Sequence, residues 1–151
     1  MILEVACIAL TLYWWILLLR VVSSWFPISP RGTAASLVGF LLLVTDPGIV
    51  RAGHVATVRK SLEAAGLEVI VFDQVIENPT TDCVERCRRL AERAGTDSFL
   101  GLGGGSSMDT AKGANFLLTN GGRMQDYWGI GLAKREMLPL IVIPTTAGTG
   151  S

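Results

Sequence analysis

The sequence predicts an α/β fold in which a doubly wound parallel sheet follows an apolar helical segment. Three observations carry that prediction. Four short runs, "FLLLV" (40 to 44), "EVIVF" (68 to 72), "SFLGL" (98 to 102) and "LIVIP" (140 to 144), are apolar or β-branched and bounded by turn residues. Between them apolar residues recur at helical spacing. Ahead of them, residues 1 to 44 carry only Glu4, Arg20 and Arg31 as charges, whereas the rest of the chain has ordinary mixed-charge patterning.

The apolar segment comes first. From Val5 to Leu19 the chain reads "VACIALTLYWWILLL", broken only by Thr11, and with Met1 to Leu3 it approaches the ~20 residues that a spanning helix needs. The start "MILE" lacks the positive charge of a secretory signal, and no small-residue cleavage site follows. Residues 1 to 35 therefore read as a leader in contact with a membrane through residues 1 to 26, or as a buried helix. Arg20 and Arg31 both follow it, which places the remaining chain in the cytoplasm if the segment is inserted. The segment "LYWWILLLRVVSSWFPISP" resembles the start of the YggT family of small integral membrane proteins, over about residues 1 to 46. That resemblance implies a membrane protein in which the α/β half is a passenger.

Residues 36 to 151 read as one α/β domain. Continuous apolar strands suit a parallel sheet buried on both faces. Val55, Val58, Leu62 and Ala65 share one helical face, as do Val84, Cys87, Leu90, Ala91 and Ala94, and then Met108, Ala111, Leu117 and Leu118. Gly66, Gly95 and Gly121 sit where these helices should stop. Alternation of strand and helix implies right-handed crossovers, with ligands at the carboxyl ends of the strands.

Composition narrows the function classes. A formal net charge of +0 over 151 residues gives no field that would steer the chain to nucleic acid. Three cysteines, Cys7, Cys83 and Cys87, are too few and too odd in number for a secreted disulfide framework, so a reducing compartment fits. Cys83 and Cys87 read as small buried or boundary residues. The single histidine, His54, lies far from them in sequence, so no metal site is expected.

The motifs follow the strands as the fold requires. After the third strand, "GLGGGSSMDTAKG" lets the backbone turn tightly at Gly103, Gly104 and Gly105, while Ser106 or Ser107 is expected to cap the next helix. N–H groups at that helix start would face an anion. The loop is neither a P-loop nor a Gly-x-Gly-x-x-Gly turn, because no Gly-Lys-Ser/Thr follows and Ser106 stands in place of the last glycine. Asp109 and Lys112 are either ligand contacts or helix-surface charges. Asp46, after the first strand, suits a ribose hydroxyl or a turn before Pro47 and Gly48. Thr80 or Thr81 in "NPTT" suits a helix cap. "PTTAGTGS" after the fourth strand offers the hydroxyls of Thr145, Thr146 and Thr149.

In this order, "VTDPG", "NPT", "GGGSSMDTAKG" and "PTTAGTGS" resemble the iron-containing (group III) alcohol dehydrogenase family, over residues 44 to 151. The resemblance implies the Rossmann-like cofactor-binding part of such an enzyme, truncated at the carboxyl end. It implies Asp46 at the adenosine ribose, Gly104, Gly105 and Ser106 at the pyrophosphate, and Thr145, Thr146 and Thr149 lining the cofactor site, with Asn78 and Asp109 near it. Asp46 further implies NAD rather than NADP. The parent activity would interconvert small alcohols and aldehydes with Fe²⁺ or another divalent metal. That metal's ligands, one aspartate and three histidines, have no match here, so this chain alone is expected to be inactive. Glycerol dehydrogenase and dehydroquinate synthase are weaker resemblances. The string "LLLVTDPG" fits both the YggT and the dehydrogenase patterns, so the sequence also reads as a chimera joined within or beside it.

Overall fold

The computed structural model describes residues 39–147, together with Thr11, Tyr13, Trp14, Trp15 and Leu18. The chain divides into two units, Met1–Leu37 and Val38–Ser151. In the first, the five described residues are helical and exposed, and the Trp14 and Trp15 rings meet edge to face at 6.4 Å. The rest of the leader, and with it the membrane-inserted reading, lies outside the described residues. Among the described residues no helix is long and apolar enough to cross a membrane.

In the second unit the elements run β1 (Gly39–Val44), α1 (Pro47–Arg51), α2 (His54–Ala64), β2 (Leu67–Phe72), α3 (Thr81–Ala94), β3 (Ser98–Gly103), α4 (Gly105–Asn120), a 3₁₀ turn (Met124–Tyr127) and β4 (Leu140–Pro144). The stretch around Leu37 to Val44, readable as membrane hydrocarbon or as a strand, is thus strand from Gly39 onward. All four strands are parallel, in the order β2-β1-β3-β4. Neighbouring strands bond in register, Leu43 opposite Val71 on one side and Leu100 on the other.

Alternation along β1 explains the two layers, because successive side chains point to opposite faces. Leu42 and Val44 pack with Phe72, Phe99, Val84, Cys87, Ala91, Ala111, Ala114 and Leu117, beneath α3 and α4. Leu41 and Leu43 pack with Val69, Leu100, Leu102 and Val55, beneath α2. The helix after β1 and the helices after β2 and β3 therefore cover opposite faces, which makes the sheet doubly wound.

Helix ends follow local chemistry. Thr80 caps α3 by accepting from the Cys83 N–H at 3.4 Å, and Gly95 closes it in the left-handed region at φ 63°. The cap expected from Ser106 or Ser107 is not formed. Gly104, extended at φ −80° and ψ −174°, holds the N-cap position of α4, and both serines fall inside the first turn. The expectation of a sheet buried on both faces holds for β1 and β3 and fails for β4, where Ile141, Val142 and Ile143 are exposed, the first by 63%. β4 is an edge strand of the described sheet.

Cys83 and Cys87 lie on the buried face of α3 with no exposed surface. Burial pushes the Cys87 thiol up to about 12, with the neighbouring Cys83 adding to the shift. Because the thiolate is the reactive form, Cys87 should not be alkylated at pH 8 while the domain is folded. Peptide mass spectrometry after iodoacetamide treatment checks this; labelling at Cys87 as fast in buffer as in urea would refute it.

Candidate binding site at the carboxyl ends of the strands

The chain winds from β1 to β2 on one side of the sheet and places β3 and β4 on the other. The carboxyl ends of β1 and β3, which are neighbours, form the switch point where open α/β sheets bind ligands. A cleft of about 560 Å³ lies there, lined by residues that include Asp46, Arg51, Glu77, Gly104, Ser106, Ser107, Thr145 and Thr146.

Asp46 follows β1 in extended conformation and caps α1. Its Oδ1 accepts from the Gly48 N–H at 2.8 Å and the Ile49 N–H at 3.1 Å. Pro47, at the first helical position, has no N–H to satisfy. The turn role is therefore real. It leaves Oδ2 for other partners, and the Ser107 hydroxyl donates to it at 3.4 Å.

After β3 the glycines take separate tasks. Gly103 turns the chain at φ 143°, and a Cβ there would lie 2.6 Å from Ser107 Oγ and 3.0 Å from Asp46 Oδ2. Gly104 leaves the end of α4 without a side-chain cap. The carbonyl of Gly104 accepts from the N–H groups of Ser107 and Met108, so the N–H groups of Gly105 and Ser106 precede the first bonds of the helix. Sixteen residues of helix stand behind them, with the positive end of the dipole at the cleft.

The neighbouring loops close on this turn. Asn78, the only non-glycine residue at positive φ among those described (51°), donates its N–H to Ser106 Oγ at 3.3 Å. Such a backbone is uncommon outside glycine and is tolerated best by asparagine and aspartate. Thr145 donates its N–H to the Gly103 carbonyl at 2.9 Å, and Thr146 Oγ1 lies 3.4 Å from where a Gly104 Cβ would be. Asp46, Gly104, Ser106, Thr145 and Thr146 thus line the cleft, with Gly105 at the helix start and Asn78 tied to it. Asp109 stands on the exposed side of α4, 3.6 Å from the Lys112 ammonium, and does not line the cleft. Thr149 lies outside the described residues.

Sequence reasoning missed Ser107, Arg51 and Glu77. Ser107 carried a signal only as a cap. Nothing in the spacing of Arg51 or Glu77 distinguishes them from surface charges. Among the described residues no three of His, Cys, Asp and Glu gather to hold a metal, and His54 is exposed at the start of α2.

Residues 33–151 match the sequence family described as iron-containing alcohol dehydrogenase. Alcohol dehydrogenase 4 of Schizosaccharomyces pombe is 43% identical over 110 residues, which cover 73% of this chain and 26% of that protein. Among solved structures, the alcohol dehydrogenase from Oenococcus oeni aligns with a TM-score of 0.70 and 36% identity, over 74% of this chain and 30% of that one. The sulfoacetaldehyde reductase from Bifidobacterium kashiwanohense, solved in complex with NAD⁺, aligns with a TM-score of 0.62 and 27% identity, over 81% of this chain and 32% of that one. The chain therefore spans less than a third of the length of these relatives.

Proposed function

The chain belongs to the iron-containing alcohol dehydrogenase family, and from that premise we propose that its α/β unit, residues 36 to 151, is the NAD-binding portion of such an enzyme. The carrying observation is the uncapped start of α4 opening into a cleft that also holds the Asp46 carboxylate. A pyrophosphate carries the negative charge that a helix start favours, and the N–H groups of Gly105 and Ser106 are there to donate to it. Ser106 Oγ accepts from Asn78, which leaves its own proton for a phosphate oxygen. Asp46 Oδ2 accepts a ribose hydroxyl and repels a 2′-phosphate, which gives the preference for NAD over NADP. Thr145 and Thr146 complete the lining; roles for Asp109, on the exposed side of α4, and for Thr149, outside the described residues, rest on the family resemblance alone. When bound, NAD supplies the nicotinamide that takes or returns hydride.

The divalent metal that the family's name implies does not fit the residues of this chain. With one histidine in the whole sequence and no three-residue cluster among the described ones, no described group of residues is suited to hold a metal that would polarise an alcohol oxygen. These 151 residues are therefore proposed to supply dinucleotide binding and not the metal that alcohol and aldehyde interconversion needs. The 151-residue chain assayed as it stands with NAD, Fe²⁺ and a primary alcohol is expected to show no NADH formation above buffer. It is expected to bind NADH saturably in a fluorescence titration. Absence of saturable binding would overturn the NAD reading; turnover would overturn the reading that this chain is inactive alone.

A second reading rests on the apolar run Val5–Leu19: a YggT-like, membrane-anchored protein with the α/β half a passenger in the cytoplasm, a chimera joined near "LLLVTDPG". The dehydrogenase family match already covers residues 33–46, where the two patterns overlap. Carbonate-resistant, detergent-released membrane association of the chain would favour this second reading, and its loss on removing residues 1 to 26 would locate the anchor.

A further inference from the structure

Resting on the NAD reading above, we propose that Ser107 is a positioning residue that sets the choice between NAD and NADP by fixing the Asp46 carboxylate. Ser107 is the third residue of α4 and is 1% exposed. Its hydroxyl reaches across to the end of β1, 61 positions earlier, and donates to Asp46 Oδ2 at 3.4 Å. The other oxygen, Oδ1, already accepts two backbone N–H groups.

A carboxylate has about four acceptor positions, two on each oxygen. Three of those on Asp46 are taken by the α1 cap and Ser107, and the remaining one, on Oδ2, belongs to the oxygen that a ribose hydroxyl would meet. With both oxygens held, the carboxylate plane does not have to be ordered when the dinucleotide arrives. Its charge is also held in place against a 2′-phosphate, and discrimination comes from that repulsion as much as from the hydrogen bond. Gly103 supplies the room: any side chain there would fall within 2.6 Å of the Ser107 hydroxyl and 3.0 Å of Asp46 Oδ2.

Adjacent serines thus serve opposite neighbours. Ser106 is fastened to the loop after β2 through the Asn78 N–H, and Ser107 to the loop after β1 through Asp46. The first turn of α4 aligns the pyrophosphate end and the ribose end of the cleft together. In sequence the pair reads only as helix-capping chemistry, and the fold converts it into a contact between two strand ends.

The test is a set of NADH and NADPH titrations of the 151-residue chain carrying Ser107→Ala, Ser107→Cys, Asp46→Ala, or Ser107→Ala with Asp46→Ala, each with its melting curve. Loss of one hydrogen bond to a charged group that is long to begin with should lower the NADH to NADPH preference about threefold to tenfold in Ser107→Ala. Ser107→Cys keeps the volume with a weaker donor and should fall in the same direction, which covers the case in which alanine disturbs folding. Asp46→Ala should remove the preference, and adding Ser107→Ala to it should change nothing further, because the serine acts through the aspartate. An unchanged ratio in folded Ser107→Ala and Ser107→Cys, or full additivity in the double variant, overturns the inference while leaving NAD binding intact. A wild-type chain that binds neither dinucleotide overturns the NAD reading, and this inference with it.

Discussion

Replacing Gly103 by alanine should lower the unfolding free energy by about 2–4 kcal/mol and abolish dinucleotide binding. Two costs combine. At φ 143° a residue with a Cβ sits in a backbone region worth about 1–3 kcal/mol of strain. The added methyl also meets Ser107 Oγ at 2.6 Å and Asp46 Oδ2 at 3.0 Å, a buried and a half-buried residue in the seam between β1 and α4. Relief requires the start of α4 to move, and the Gly103 carbonyl, which accepts from the Thr145 N–H, moves with it. One methyl group therefore disturbs three of the four strand ends. Gly104→Ala is the control: its φ is −80° and its Cβ would meet Thr146 Oγ1 at 3.4 Å, an ordinary contact, so its cost should stay below about 1 kcal/mol. Urea unfolding of both variants measures the difference. Equal losses at the two positions would show that the seam tolerates a side chain at 103.

The strands were legible because each is a short apolar run closed by turn residues: "EVIVF" and "LIVIP" lie within one residue of β2 and β4. The glycine stops were legible for a related reason. Gly66, Gly95 and Gly121 all stand at positive φ, which other residues avoid. α1 was not, because five residues are too short to show a helical period. The exposure of β4 was hidden as well, since an edge strand and a central strand can share one composition and differ only in sheet order. At the site, Asp46 was legible as a residue of two possible roles, and the fold assigns one oxygen to the cap and leaves the other to the seam with Ser107. Ser107 itself was misread because capping is a local rule, and a glycine in extended conformation took the position first. Contacts between residues 61 apart leave no trace in a single sequence.

Asn115→Leu is the second large effect expected, and it tests how the last strand is held. Asn115 is fully buried on α4, and it reaches the chain before β4 at both polar atoms: Nδ2 donates to the Leu138 carbonyl and Oδ1 accepts from the Leu138 N–H, each at 2.9 Å. The next residue, Pro139, offers its carbonyl to the Phe99 N–H at 2.9 Å, which starts the β3–β4 pairing. Asn115 therefore helps set the register of a strand whose outer side chains bury little surface of their own. Leucine keeps the branched shape and the number of heavy atoms but leaves both Leu138 backbone groups without their partner, at about 1–3 kcal/mol each, so a loss of about 2–6 kcal/mol is expected. Asn120 makes the corresponding bonds to Lys134 and Arg135 in exposed surroundings. Water replaces those partners at little cost, and Asn120→Leu should lose about 1 kcal/mol or less. Hydrogen exchange locates the effect: in Asn115→Leu, amides of residues 140–146 should lose protection while those of β1 keep theirs. Uniform loss across the sheet would mean that Asn115 serves the core as a whole, and Thr145 and Thr146 would then owe their placement at the cleft to the β3 pairing alone.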